Sequence, residues 1–223
     1  TILLNNIINQ EPPMAKPTQN TEQAILAAAK QEFLLKGYDG ARTTSIAEKA
    51  GVTHAMLHYY FRTKKNIFEC IVDNEMGLLV ESVLKVFGES TLPLKERLRD
   101  CISCHFDFIR ANPDLPRFII NEVITRPEHH EILRKRITVI IAKLAGETQR
   151  EINEAAARGE IEQMDIRMIM LDILSLNIFP FLAFPLIQPL FGELTEDQEK
   201  FFEMRKAETI ETITRRIEKQ TQI

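Results

Sequence analysis

Apolar residues recur at intervals of three and four along most of this chain, and no convincing stretch alternates with period two. Ile25, Ala29 and Phe33 lie four apart with Leu26 beside them, which predicts a helix from about Glu22 to Lys36 with Thr21 as its cap. Gly37 ends it, and Tyr38-Asp39-Gly40 makes a turn. Two short patterns follow. Ile46, Ala47 and Ala50 carry one over Ser45 to Ala50, and Leu57 and Phe61 carry the next over His54 to Phe61. Gly51 lies between them, where a helix end tolerates positive φ, and Thr53 is a good N-cap for the second. Thr63 caps a longer helix whose stripe is Ile67, Ile71, Met76, Leu79 and Val83, ending near Phe87 at Gly88.

Pro93 sits in the first turn of a helix that runs to about Ala111, and Asn112 to Pro116 break the chain. A shorter helix is expected over Arg117 to Ile124. A long one follows over Glu128 to Arg158, with Leu133, Ile137, Ile140, Ile141, Leu144 and Ile152 as its stripe and Gly159 as its stop. Asp165 caps an apolar helix starting near Ile166. Thr195 and Gln198 form a capping box for the last helix, striped by Phe202, Ile210, Ile213 and Ile217. The expected fold class is all-α. A chain of 223 residues, 44% of them hydrophobic, suffices for one or two domains with a real core.

The two short helices cannot stand alone, because nucleation costs too much. Joined by a tight glycine turn and packed on the first helix, they form a helix-turn-helix. On a wheel of about 100° per residue, Leu57 and Phe61 face inward with Tyr60 close by. Ala55, His58 and Tyr59 point away, and His54 lies on the flank. Two histidines and a tyrosine on one outward face suit a helix that presents donors and rings to base edges and phosphates in a major groove. The charge distribution agrees. The chain carries −4 in total, yet Lys16 to Lys65 contains eight Lys or Arg against four Asp or Glu, so that segment is +4 and the remainder −8. A basic segment on an acidic body fits a DNA-binding module joined to a sensing module.

The run TTSIAEKAGVTHAMLHYYFRTKKNIF, Thr43 to Phe68, resembles the DNA-binding domain of the tetracycline-repressor (TetR) family. It shares the threonine-rich start, I-A-x-x-A-G-V, and the aromatic run before x-x-K-x-x-L/I-F, with His58 where that family usually has tyrosine. The resemblance covers about Thr21 to Phe68. It implies DNA contacts at Thr43, Thr44, Thr53, His54, Ala55, His58, Tyr59, Tyr60 and Lys64. The residues themselves assign His54, His58 and Tyr59 to bases and Thr43, Tyr60 and Lys64 to phosphates. Lys64 and Lys65 oppose a helix dipole, which makes sense where a phosphate approaches the same N-terminus.

The expected organisation is a disordered arm or leader over residues 1–20, a helix-turn-helix domain over 21–65, and a helical ligand-binding and dimerisation body over 66–223. Met14 is a candidate natural start, and the first thirteen residues do not read as a secretory signal. Three cysteines in a chain this long fit a reducing cytoplasm.

Several constellations invite sharper chemistry. Cys101, Cys104 and His105 spell C-x-x-C-H inside a helical stripe, without any export signal for haem attachment. Core packing is the plain reading, followed by a ligand cavity and then a thiol or metal sensor, for which a fourth ligand is missing. His54 and His58 have the i,i+4 spacing of a metal clamp, but in a recognition helix DNA contact is the better reading. His129 and His130 read as solvated. Ile169 to Phe191 is long enough to cross a membrane. Asp172, Asn177, Gln188 and three prolines oppose that, and a helix apolar nearly all round is better read as buried on two sides.

No phosphate loop, G-x-S-x-G or H-E-x-x-H is found, so neither an enzyme nor a cofactor is expected, and no metal site. Operators read by such motifs are pseudo-palindromes, so a two-fold homodimer is expected. Its seam is expected on the apolar helix after Asp165 and the last helix, at Ile173, Leu176, Phe179, Ile210, Ile213 and Ile217, as the resemblance also implies. Cys101, Cys104, His105, Phe108, Phe118 and Phe179 are the candidate lining of an effector cavity, with Phe106 and Phe181 adding to an apolar or aromatic character. The expected function is a ligand-responsive regulator bound to double-stranded operator DNA, with repression taken from the resemblance. The alternatives are an effector-free architectural DNA-binding protein, or a sensor using Cys101, Cys104 and His105.

Overall fold

The computed structural model describes residues 19–88 and 92–217, without the side chains of residues 19, 82–88, 133, 136, 140, 143 and 144. The arm expected over 1–20 falls almost wholly outside the described residues. Among the described residues all regular elements are helical, and the chain divides into two compact units between Phe68 and Glu69.

The first unit holds α1 (Gln19–Gly40), α2 (Thr43–Lys49), α3 (His54–Phe61) and the start of α4 (Lys64–Gly88). Thr21 therefore lies inside the first turn of α1. Gly37, at φ 67 and ψ 176, breaks α1 where the sequence predicts its stop, and a last helical turn follows. Ile25, Ala28, Ala29 and Phe33 make the buried face of α1, spaced three and four apart. Ile46 and Ala47 of α2, Leu57 and Phe61 of α3, and Ile67 and Phe68 of α4 are buried in the same unit. Phe33, Tyr38 and Phe68 form a ring cluster, with Phe68 edge-on to Phe33 at 5.4 Å and to Tyr38 at 5.0 Å.

One buried charge ties this unit together. Glu32 is fully buried, and Lys36 of its own helix reaches it at 2.7 Å while Lys49 at the end of α2 reaches it at 2.6 Å. The two ammonium groups remain partly in water, so only the carboxylate bears the desolvation that makes buried pairs expensive.

The second unit is built on α5 (Leu94–Ala111), α7 (His130–Ala157), α8 (Ile166–Phe191) and α10 (Gln198–Ile217), with α6 (Leu115–Ile119) and α9 (Glu193–Glu196) as short connectors. An aliphatic core joins Leu94, Leu98 and Ile102 of α5, Ile152 of α7, Ile166, Ile169 and Ile173 of α8, and Ile213 and Ile217 of α10. A phenylalanine core continues it, where Phe106 of α5 meets Phe181 and Phe184 of α8 and Phe201 and Phe202 of α10. Phe181 and Phe202 stack at 4.3 Å.

Several expectations need correction. Ile173, Ile213 and Ile217, expected at a dimer seam, are buried within their own protomer, because α8 and α10 use that side of each helix to pack on α5. Leu176 and Ile210 pack partly against the same core, and of the six only Phe179 is exposed. Ile137, expected in the inward stripe of α7, is exposed, while Leu133, Ile140 and Leu144 of that stripe lie outside the described side chains. The helix expected over Arg117 to Ile124 is α6 followed by a π-helical turn at Ile120–Ile124. His129 is buried and its Nδ1–H donates to the Glu122 carbonyl at 2.5 Å; His130 donates from Nε2 to Ile124 at 2.7 Å. His129 closes the turn before α7 instead of being solvated, while His130 bonds there yet stays exposed as expected. Thr195 does not cap the last helix. Gly192, at φ 53, folds the chain back, so the Thr195 hydroxyl donates to the last turn of α8 at Gln188 and Gly192, and Asp197 caps α10 by accepting from the Lys200 N–H at 3.0 Å.

Glu32 makes a prediction for acid stability. Its bonds to Lys36 and then Lys49 hold its carboxyl at about 2, below the ordinary 4.5. A depressed folded value contributes stability that is complete above the ordinary range and is lost as pH falls from 4.5 towards 2. Glu32→Gln should lower the stability of the first unit at neutral pH by about 2 kcal/mol and flatten its acid dependence in that window. All three tyrosines, Tyr38, Tyr59 and Tyr60, lie in this unit and the chain has no tryptophan, so tyrosine fluorescence in urea at each pH measures it directly.

Candidate nucleic-acid interface and effector site

The turn between α2 and α3 is set by backbone geometry. The Val52 N–H bonds to the Ala47 carbonyl at 3.0 Å and the Gly51 N–H to Glu48 at 3.1 Å, the two bonds of a Schellman motif. Gly51 sits at φ 68, and a Cβ there would touch nothing within 4 Å. Glycine is needed for the conformation, not for space. Thr53 is extended and its Oγ1 accepts from the Met56 N–H at 3.1 Å, so it caps α3 as the sequence predicts.

α3 spans His54–Phe61, the range expected, and divides cleanly. Leu57 and Phe61 are buried, while Thr53, His54, Ala55, His58 and Tyr59 are exposed, Tyr59 to 68%. Tyr60 is half-buried between the rings of Tyr59 and Phe61. Thr43 and Thr44 open α2, Thr44 exposed and Thr43 half-buried. The Thr43 Oγ1 lies 3.0 Å from His54 Nε2, linking the starts of the two short helices. His54 and His58 meet edge to face at 4.5 Å. The His58 Nδ1–H donates to the Arg62 carbonyl at 2.8 Å.

Lys64 departs from the expected phosphate contact. Its ammonium donates to the carbonyls of Tyr38 at 2.8 Å, Ala41 at 3.1 Å and Asp39 at 3.4 Å, and sits 4.7 Å above the Tyr38 ring. Three carbonyls and an aromatic face use the three donors, so Lys64 locks the turn between α1 and α2. The unfavourable cation at a helix start is answered by backbone oxygens from a turn 23 to 26 residues away, which no local pattern shows. Arg42 at the N-cap of α2 and Arg62 at the C-cap of α3 are also exposed cations of this unit. Arg62 carries a positive φ of 59 without being glycine.

In the second unit the expected effector residues do not converge. Cys101 and His105 are buried, Phe118 is buried, Cys104 and Phe108 are half-buried, and Phe179 is 65% exposed on the outer side of α8. An open groove of about 540 Å³ lies instead along α7 and the approach to α8, lined by Ile141, Ala145, Gln149, Met164 and Arg167 among others, and by none of those six. Gln149 organises its floor, accepting from the Ile166 N–H and donating to the Met164 carbonyl, each at 2.9 Å.

Where α5 meets α8, Asn177 is fully buried. Its Nδ2 donates to the Ile102 carbonyl and to His105 Nδ1, both at 3.1 Å, and its Oδ1 has no partner. The opposite amide orientation would set oxygen against oxygen at Ile102, so nitrogen faces that carbonyl. Burial pushes His105 down to about 4, so it is neutral near pH 7. Burial, and then the neighbouring Cys104, push the Cys101 thiol up to about 12. Among the described residues no three His, Cys, Asp or Glu side chains are grouped to hold a metal ion, Cys101, Cys104 and His105 included.

Comparisons with known proteins follow the same division. Residues 25–71 match the family described as bacterial regulatory proteins, tetR family, and residues 95–213 match the tetracyclin repressor-like C-terminal domain. The chain is 28% identical over 113 residues to the HTH-type transcriptional activator FasR of Mycolicibacterium smegmatis, covering 50% of this chain and 51% of that one. It spans about half the length of the curated relatives it matches first. Its fold is similar to that of FadR from Bacillus subtilis, solved in complex with stearoyl-CoA, with a TM-score of 0.61 and 22% identity over 87% of this chain and 98% of that one. It is similar also to a TetR-like regulator from Rhodococcus sp. RHA1, with a TM-score of 0.64 and 17% identity over 91% and 97%. With a helix-turn-helix matched at one end and the family's C-terminal domain matched over more than half of its length, the chain belongs to the TetR family of bacterial transcription regulators.

Proposed function

We propose that this chain is a dimeric, ligand-responsive regulator that lays α3 in the major groove of a pseudo-palindromic operator in the bacterial cytoplasm and represses the promoter it covers. It works by binding alone, with no enzymatic step. The observation that carries the reading is the division of α3, two buried anchors against an exposed face of His54, Ala55, His58 and Tyr59. Thr43, Thr44, Thr53 and Tyr60 frame that face and are assigned to the sugar–phosphate backbone, and His54, His58 and Tyr59 to bases. Repression is the simplest consequence of occupying a promoter. FasR, an activator by name, favours the opposite sign as a second reading.

The dimer seam is assigned to the outer side of α8. Met168, Leu171, Phe179, Leu186 and Leu190 are exposed there, three, eight, seven and four residues apart, intervals that return them to one side of the helix. α8 is long and apolar enough to cross a membrane, but its other side is packed into the core of its own unit, which supports a helix shared between two protomers. An apolar or aromatic effector is assigned to the second unit. The groove beside α7 is of a size that admits small molecules. The partnerless Asn177 Oδ1 is a buried acceptor whose unmet hydrogen bond a ligand donor or a water would satisfy. The stearoyl-CoA bound by the structurally similar FadR makes acyl thioesters the first probe.

Selection of duplexes from a randomised library by the full chain should enrich inverted half-sites, the sign of a two-fold dimer. Tyr59→Ala should weaken binding to the enriched duplex by roughly 1–3 kcal/mol in a gel-shift titration; unchanged affinity removes Tyr59 from the interface. Stearoyl-CoA, or one of a panel of aromatic metabolites, should raise the thermal midpoint of the free protein and release the duplex. A chain that binds the duplex and responds to none of them is an architectural DNA-binding protein. The thiol-sensor reading requires a thiolate, which Cys101 does not offer. Iodoacetamide at pH 8 should therefore modify Cys70 or Cys104 before Cys101 in the native protein, read by peptide mass spectrometry, and early labelling of Cys101 would revive that reading.

A further inference from the structure

The hydrogen bond from the His58 ring has a consequence for which bases α3 can read. A carbonyl oxygen only accepts, so the 2.8 Å contact between His58 Nδ1 and the Arg62 carbonyl requires the proton on Nδ1. In the neutral ring Nε2 is then an acceptor with a free lone pair. His58 is exposed, and Nε2 has no partner among the described residues. His54 is different: its Nε2 faces the Thr43 hydroxyl, which can donate or accept, so its polarity is not fixed.

The carbonyl that fixes His58 is itself held in an uncommon place. Arg62 has φ 59 and ψ −44, the one positive φ outside glycine among the described residues, and the Thr63 N–H bonds back to the Phe61 carbonyl at 2.6 Å. That is a γ-turn centred on Arg62, a strained conformation for a side-chain-bearing residue. The Arg62 N–H bonds to the His58 carbonyl at 2.9 Å. Both backbone groups of Arg62 thus close on His58, one on its carbonyl and one on its ring.

We propose that His58 is a specificity-determining residue that reads, as an acceptor, an exocyclic amino group in the major groove: N6 of adenine or N4 of cytosine. This rests on the DNA-reading assignment above and adds the polarity of one contact. In the major groove guanine offers only acceptors at O6 and N7, and thymine an acceptor at O4 and a methyl group. A lone pair on Nε2 is repelled by each of those oxygens. Phosphate oxygens also only accept, so neutral His58 makes no hydrogen bond to the backbone. The tyrosine that the family usually has at this position carries a hydroxyl that can donate or accept, so the histidine narrows the contact to acceptance.

The test uses the duplex selected by the full chain and compares the wild type with His58→Ala. In the variant's own selected motif, one base pair per half-site should lose its preference while the others keep theirs; that pair carries one major-groove amino group, adenine N6 or cytosine N4. At that position, adenine replaced by purine, or cytosine by 2-pyrimidinone, removes only the amino group. That change should weaken the wild type roughly 5- to 100-fold and leave His58→Ala unaffected. Three results overturn the proposal: an equal loss in both proteins, no loss in the wild type on removing the amino group of the relaxed pair, or a uniform weakening by His58→Ala with every preference intact, which marks a backbone contact. A library from which the full chain enriches nothing overturns the DNA-reading assignment itself, and this inference with it.

Discussion

The reading unit is governed by one constraint: α2 has seven residues and α3 eight, far too few to hold a helix in water. Both exist because neighbours fix them. Leu57 and Phe61 bury one side of α3, and Glu32 binds the end of α2 to α1 through Lys49. Lys64 then closes the turn that connects α1 to α2 by binding its carbonyls. Polar groups spent on these locks are not available for recognition. What remains outward on α3 is therefore a small set of rings and hydroxyls whose orientation is borrowed from the rest of the unit.

The second unit solves a different problem, since α8 is apolar on nearly every side. Its inward side is chosen by packing: Ile166, Ile169, Ile173, Phe181 and Phe184 interleave with α5 and α10. Asn177 sits in the middle of that side and pins α8 to α5 through the Ile102 carbonyl and the His105 ring. A buried amide with two specific partners rejects registers that a purely apolar seam would accept. The cost is the unpartnered Oδ1, and the C-x-x-C-H spelling next to it resolves into packing and a neutral, buried imidazole.

The candidate DNA site was legible in large part because its signals are local. A glycine at φ 68, a threonine cap three residues before the N–H it accepts from, and inward residues four apart all follow from spacing along the chain. The role of Lys64 was not, because its partners lie more than twenty residues away in sequence. The effector region was the least legible. Burial of Cys101 and His105 follows from their stripe, but the scattering of Phe108, Phe118 and Phe179 over different surroundings depends on how helices far apart in sequence turn toward one another.

By itself the sequence determined an all-helical chain, the span of α3, its cap, its glycine turn and its outward residues, since each depends on neighbours within a turn or two. Only the tertiary structure decided which side of α8 and α10 is interior, leaving Ile173, Ile213 and Ile217 in the protomer core and Phe179 outside. It alone also decided which ring nitrogen of His58 carries its proton. Helical periodicity marks an apolar face but does not say what covers it, and a ring's tautomer depends on a partner that only the folded chain brings within reach.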